Sequence, residues 1–301
     1  MTATVRPVTE RDIDRAGDVN FHAFLHVAMA HGQTPTVTTP ADSRGYLRHL
    51  LTFDPLGGLV AELAGDVVGV AWVHPRGPVA TIGPIAVDPA VQGRGIGRLL
   101  LERCLTIAGS GVPQVRLVHE SFNAASLGLY LRAGFRVVAP LLELERSLAE
   151  VLVAPPTAGH STVRPAVAAD QARLVARDGR AFGAPRPQSI ELYVRRGIAL
   201  VAEHGKTLSG YGFGIGSKRI AYLGAASGDD ADTVLGLASG VIAALRGQGD
   251  VVRTLVPATD RRLVDGLLGM GFHVARACHY MVRGGGTAPP ANYLLMNGDM
   301  M

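Results

Sequence analysis

With 301 residues, 48% of them hydrophobic, the chain has material for about two domains with separate cores. Its net charge of +4 and pI near 9.3 suit a solvated basic surface rather than a nucleic-acid site, because the arginines are scattered and aromatic residues make up only 5%. No stretch approaches the roughly 20 apolar residues of a membrane span, and Met1-Thr-Ala-Thr-Val-Arg-Pro7 has no apolar signal core, so a cytoplasmic protein without membrane contacts is expected. Cys104 and Cys278 lie in different halves without metal-type spacing and read as buried or free thiols.

Thr4–Pro7 reads as a first strand, and a helical stretch starts at Asp12 and runs past Phe21, Phe24 and Leu25 toward Ala30. A second helix over Ala41–Leu51 puts Leu47, Leu50 and Leu51 on one face. Gly58–Leu63 and Val67–Val73 flank the turn Ala64-Gly-Asp66, a hairpin pattern. The apolar run Ile82–Val87 is a buried strand that leads through Gln92-Gly-Arg-Gly-Ile-Gly97 into a helix reaching Ala108. Val115–His119 is a fifth strand, and Asn123 opens a helix that stops at Gly134, where glycine supplies the left-handed turn. Arg136–Val138 and Leu141–Glu145 close this half as a strand pair.

After Ala154-Pro-Pro-Thr-Ala-Gly159 the pattern starts again. Thr162-Val-Arg-Pro165 repeats Thr4-Val-Arg-Pro7, with Asp170 placed as Asp12 is; Leu200-Val-Ala-Glu203 repeats Leu59-Val-Ala-Glu62; Met270-Gly-Phe272 echoes Ala133-Gly-Phe135. Three markers in one order predict an internal duplication. Arg164 follows Arg6 by 158 positions, Glu203 follows Glu62 by 141 and Phe272 follows Phe135 by 137, so the second copy is shorter. The expected divisions are a first domain over 1–147, a linker over 148–161, a second domain over 162–283 and a tail over 284–301. That tail, with apolar Tyr293 to Met296, is free or docked on composition alone.

The glycine run carries the chemistry. Gly93, Gly95 and Gly97 lack a Cβ, so their N–H groups can turn to an anion, and the following helix adds its positive end. A dinucleotide fingerprint would need a third glycine where Arg98 stands, and a Walker loop would need Gly-Lys-Ser/Thr; neither fits. Gln92-Gly-Arg-Gly-Ile-Gly97 instead resembles the Q/R-x-x-G-x-G/A acyl-CoA loop of the GNAT superfamily of N-acetyltransferases. The whole chain resembles a tandem two-domain bacterial member with an intact N-terminal domain and a degenerate C-terminal one. The implied fold class is α/β, in the α+β sense of a mixed sheet: two tandem GNAT folds, each a twisted mixed β-sheet flanked by helices. In the second copy Gly224-Ala-Ala-Ser-Gly-Asp-Asp-Ala231 replaces the loop, and Asp229 and Asp230 would repel a pyrophosphate.

The resemblance implies an acyl-CoA-dependent N-acyltransferase that moves acetyl from acetyl-CoA to a small-molecule amine by direct attack in a ternary complex. It implies that the backbone of Ile85, Ala86 and Val87 pairs with the pantetheine arm. Gln92, Gly93, Arg94, Gly95, Ile96, Gly97 and Arg98 would hold the pyrophosphate, and Asn123 and Ser126 would meet the arm. Tyr130 matches the tyrosine that protonates the departing thiolate; a phenol is protonated at neutral pH and can donate. No carboxylate stands on Val79–Val87, so His119 and Glu120, sent to opposite faces by strand alternation, are the candidate bases, with water as the alternative. His22 and His26 have metal-type spacing but no third ligand, so no metal is expected and they read as pocket lining or helix packing; Asp54 is a further candidate contact for an amine. Two other readings stay open: a non-catalytic acyl-CoA or metabolite sensor, and a protein N-acetyltransferase. A homodimer is also left open.

Overall fold

The structure, a computed structural model, describes residues 2–151, 161–216 and 219–296. It divides into two compact units, Met1–Arg136 with Met281–Gly286, and Val137–Tyr280 with Thr287–Met301. Most of the expected linker, and the end of the tail, lie outside the described residues.

The first unit runs β1 (Thr4–Pro7), α1 (Ile13–Ala30), α2 (Pro40–Phe53), β2 (Gly58–Leu63), β3 (Asp66–Arg76), β4 (Val79–Val87), α3 (Ile96–Ala108), β5 (Gln114–Glu120) and α4 (Ala124–Arg132). Its sheet has the order β1-β2-β3-β4-β5. Strand alternation gives the sheet two apolar faces. Val60, Val70 and Trp72 meet Ile13, Ala16, Leu47 and Leu50 of α1 and α2. Leu59, Ala61 and Ala71 meet Leu100, Leu101 and Cys104 of α3 on the other face. Thr39 caps α2 by accepting from the Asp42 N–H, and Pro40 stands in its first turn, where a missing N–H costs nothing. Residues 281–286 complete this unit beside β5, where the Gly285 N–H donates to the Pro113 carbonyl at 2.9 Å.

The second unit opens with β6 (Arg136–Ser147), one continuous strand rather than the expected pair. Pro140 does not interrupt it, because the ladder with the next strand begins one residue later, at Leu141. The second unit continues with β7 (Thr162–Pro165), α5 (Gln171–Phe182), α6 (Pro187–Arg196), β8 (Ile198–His204), β9 (Thr207–Gly216), β10 (Ile220–Gly228), α7 (Ala231–Leu245), β11 (Val251–Pro257), α8 (Arg261–Gly269), β12 (His273–Gly284) and β13 (Tyr293–Leu294). Its order is β12-β6-β11-β10-β9-β8-β7, with β13 on β10. Val234, Leu237, Ala238 and Val241 of α7 fill one face, and Leu174, Ile190 and Tyr193 of α5 and α6 the other.

The two units repeat strand registers as well as letters. Arg6 lies opposite Val60 and Arg164 opposite Val201, 141 positions on from Val60. The repeated letters themselves form an ion cluster. Arg6 donates to both carboxylate oxygens of Asp12 at 2.8 Å and to Glu62 at 2.6 Å, tying β1, β2 and the turn before α1 together. Arg164 grips Asp170 at 2.7 and 2.9 Å and Glu203 at 2.9 Å in the same way. The strongest sequence signature of the duplication is therefore structural.

Candidate active site

In the first unit β4 and β5 pair in parallel only through Val79↔Gln114, Ala80↔Val115 and Thr81↔Arg116. Just beyond that point β4 carries an extra residue against β3: Val73 faces Ile82, whereas Ala71 faces Ile85. A bulge of this kind bends its strand, and the two strands part. The bulge is held from the side by His74, which joins the Gly83 carbonyl at 3.0 Å to the Asp54 carboxylate. Asp54 also accepts from Arg76 at 2.7 and 2.8 Å. Burial alone would raise the Asp54 carboxyl, but the hydrogen bonds from His74 and Arg76 win and hold it at about 2. Asp54 is thus spent inside the fold, and its expected availability to an amine is corrected: its carboxylate is already shared by His74 and Arg76.

The backbone of β4 presents a row of polar groups to the gap. The Asp88 N–H donates to the Val68 carbonyl on β3 at 2.8 Å. Alternation then turns the backbone groups of Val87, and of Ile85, away from β3 toward the open side, while Ala86 faces β3. At the end of the strand Gln92 donates from its side-chain amide to the Val87 carbonyl at 2.9 Å, which anchors the glycine loop to β4.

The loop has the geometry its composition requires. Gly93 and Gly95 sit at φ +78° and +83°, in the left-handed region, and a Cβ on either would meet nothing within 4 Å. Gly95 is the cap residue of α3, so the first turn of the helix, Ile96 to Arg98, opens onto this clear space with the N–H groups that no α-helix satisfies internally. Arg94 is exposed, and Arg98 pairs across the surface with Glu102 at 3.2 Å, a pair weak enough for an anion to compete.

Across the gap, β5 ends in His119 and Glu120, which take separate partners. His119 is buried, with Nε2 at 3.0 Å from the Asn123 carbonyl and 2.9 Å from Ser126 Oγ. A carbonyl only accepts, so Nε2 is the protonated nitrogen here. The Asn123 side chain caps α4 by accepting from the Ser126 N–H at 3.2 Å. The Tyr130 ring meets His119 edge-on, with centroids 5.8 Å apart, and Phe135 at 5.9 Å. Asn123, Ser126, His119 and Tyr130 are therefore one group at the α4 end of the gap. Glu120 instead accepts from Thr36 Oγ1, on the segment between α1 and α2, at 2.8 Å. Phe122 packs against His31 at the end of α1. His22 and His26 are exposed on α1, and no group of three potential metal ligands gathers among the described residues.

The Acetyltransferase (GNAT) family model matches residues 26–135, which hold the bulged strand, the glycine loop, α3, β5 and α4. Residues 26–135 are thus similar to the GNAT acetyltransferase family. A mycothiol acetyltransferase of Propionibacterium freudenreichii is 36% identical over 137 residues, covering 42% of this chain and 41% of that protein. One from Nocardioides is 39% identical over 100 residues, covering 28% and 34%. The chain therefore spans well under half the length of these relatives. Among solved structures, a protein from Pyrococcus horikoshii superposes with TM-score 0.77 at 19% identity, covering 99% of this chain and 96% of that one. A tandem GNAT protein from the clavulanic acid biosynthesis pathway gives 0.63 at 16% identity over 95% and 100%. These two share the fold of this chain. No helix among the described residues is long and apolar enough to cross a membrane.

Two features of the site have no local signal in the sequence. The clamp of Asp54, His74 and Arg76 on the bulge spans two strands and a loop in no fixed pattern. Thr36 bonds Glu120 at the end of β5, and His31 packs on Phe122 just beyond it, both from the segment around the end of α1. Only the absence of a carboxylate on β4 pointed toward groups from elsewhere.

Proposed function

We propose that the first unit binds acetyl-CoA and transfers its acetyl group to the amine of a small molecule in a ternary complex. The observation that carries this reading is the gap between β4 and β5, lined by the outward backbone groups of Ile85 and Val87 and closed at one end by the Gln92–Gly97 loop on α3. A pantetheine arm is an amide chain that can pair with such an edge, and a pyrophosphate suits the N–H groups of Gly93 to Arg98. The curated relatives named as mycothiol acetyltransferases support acetyl as the transferred group.

In this reading the neutral amine attacks the thioester carbonyl, forming the C–N bond. The oxyanion develops next to the outward N–H of Val87. Collapse breaks the C–S bond, and the departing thiolate takes a proton from the Tyr130 hydroxyl. The ammonium proton leaves through Glu120 or through water. Among the two β5 candidates Glu120 is favoured, because its side chain is only partly buried at the end of β5, whereas His119 is buried with its Nε2–H turned to the Asn123 carbonyl at the start of α4. His119 then acts as a positioning residue, seating Tyr130 by its edge contact and Ser126 by its hydrogen bond.

The test is a steady-state assay of thiol release with acetyl-CoA and a panel of small amines, headed by the acceptor that mycothiol acetyltransferases use. Acceptor-dependent thiol release that falls in Tyr130→Phe at unchanged acetyl-CoA affinity supports the assignment. Tight binding with no turnover for any amine would favour a sensor, and acetylation confined to peptides would favour a protein acetyltransferase.

A further inference from the structure

The second unit repeats the gap and fills it. β10 and β11 pair in parallel only through Ile220↔Val251, Ala221↔Val252 and Tyr222↔Arg253. These are the positions of Val79–Thr81 and Gln114–Arg116 shifted by 141 and 137, so the strands part at the same place. β10 has its bulge there too, between Gly224 and Ser227 against β9. Asp229 repeats the hydrogen bond of Asp88, donating its N–H to Ser209 on β9 at 2.9 Å, so Ala226 and Gly228 turn their backbone groups outward as Ile85 and Val87 do.

Into this gap comes the tail. Leu294 and Tyr293 pair antiparallel with Ala226 and Ser227 of β10. On the other side Leu295 and Leu255 of β11 exchange both backbone hydrogen bonds, at 3.0 and 2.9 Å. The Gly228 N–H, counterpart of the Val87 N–H, donates to the Asn292 carbonyl at 3.3 Å. Asp260 stands where Asn123 does: one oxygen caps α8 from the Leu263 N–H, and the other accepts from the Asn292 N–H at 2.9 Å. Tyr293, Leu294, Leu295 and Met296 are all buried, and the Tyr293 hydroxyl accepts from Arg186, which is itself locked to Asp178 inside the unit. Gly224 has no side chain because a Cβ would collide with the Met296 backbone. At the start of α7, the counterpart of α3, Asp230 accepts from the Thr233 N–H at 2.7 Å, so a carboxylate of the chain occupies the anion position.

We infer that the gap of the second unit is a β-strand-binding slot whose ligand is the chain's own segment Asn292–Met296, seated where the first unit would seat a pantetheine arm. The comparison with pantetheine rests on the function proposed above; the strand assignment rests on the hydrogen bonds alone. The slot takes extended backbone through N–H and C=O groups on both walls, and it is closed to acyl-CoA.

The experiment uses the chain ended after Pro290 and a synthetic peptide of residues 291–301 supplied in trans. Truncation is expected to lower Tm by roughly 5–10 °C, and saturating peptide to restore it. A peptide N-methylated at Leu295 should fail, because it cannot donate to Leu255. A truncated chain with the original Tm and no affinity for the peptide would overturn the inference. If the truncated chain does not fold, hydrogen exchange on the full chain decides: the Leu295 and Leu255 amides should be protected together, and open-chain exchange at Leu295 would overturn it. Acetyl-CoA titration of the full chain and of Gly95→Asp/Gly97→Asp reads the first unit separately. Loss of all binding in the double variant supports a closed second slot, whereas residual binding that the peptide competes away would contradict it. Failure of the full chain to bind acetyl-CoA would fault the proposed function and leave the strand assignment intact.

Discussion

Gly95 and Gly97 stand two residues apart in one loop, yet replacing them with alanine should have opposite signatures. Gly95 is held at φ +83°, where a Cβ costs about 1–2 kcal/mol of backbone strain, although nothing lies within 4 Å to clash with it. The Gly95→Ala chain can relieve that strain only by rotating the peptides that aim N–H groups into the open space above α3. Losing one charge-assisted hydrogen bond to a pyrophosphate costs about 1.5–3 kcal/mol, so acetyl-CoA affinity should fall roughly 10- to 100-fold. At Gly97 a Cβ would rest 3.7 Å from Leu129 and 3.8 Å from Val87, ordinary contacts, and alanine in a helix gains up to about 1 kcal/mol over glycine. Gly97→Ala should therefore keep or raise stability and leave affinity within about threefold of the parent, since its N–H is not redirected. Denaturant unfolding and calorimetric titration of acetyl-CoA on the two variants give the four numbers needed. A Gly95→Ala chain that shows the strain but binds acetyl-CoA as tightly as the parent would refute the reasoning, because the loop would then not be the cradle.

Tyr130→Phe preserves the edge contacts to His119 and Phe135, so a loss of kcat of roughly 100-fold with unchanged Kd for acetyl-CoA is expected, and a parallel loss of affinity would reassign Tyr130 to packing. Hydrogen bonds from Arg164 hold the Asp170 carboxyl at about 2, below its ordinary 3.8, so the pair stabilises the fold above pH 3.8 and loses that contribution as pH falls through 2. With Arg164 about one-third exposed, solvent screening reduces the effect to about 1–2 kcal/mol; Arg164→Met should raise the acid-unfolding midpoint, and an unchanged midpoint would show the cluster to be silent. Burial pushes the Cys104 thiol up to about 12, and Cys278 is buried as well, so neither should react with an aromatic disulfide until the chain is unfolded; fast labelling of the native chain would contradict their placement.

Much of the fold was legible because its signals are local. The Gly58–Leu63 hairpin, the glycine-led α3 and the stop of α4 before Gly134 each follow from turn chemistry and period over a few residues. The duplication was legible through Arg164, Asp170 and Glu203, because one ion cluster keeps its three residue types in both copies. What escaped the sequence depends on contacts between distant segments. Asp54 is fixed by His74 and Arg76, 20 and 22 positions on, and Glu120 by Thr36, 84 positions before it. The bulge in β4 was invisible because a bulge is a relation between two strands. The tail's place was beyond composition for the same reason: Tyr293 to Met296 are apolar, but the slot that receives them exists only once β10 and β11 have parted.

The most direct test of the central claim is calorimetric titration of acetyl-CoA into the parent chain and into Gly95→Asp/Gly97→Asp, with thiol release followed across the amine panel. One site per chain, lost in the double variant, is expected, with thiol release for at least one amine in the parent alone. Undiminished binding in the double variant would contradict it, because the site would then lie away from the Gln92–Gly97 loop.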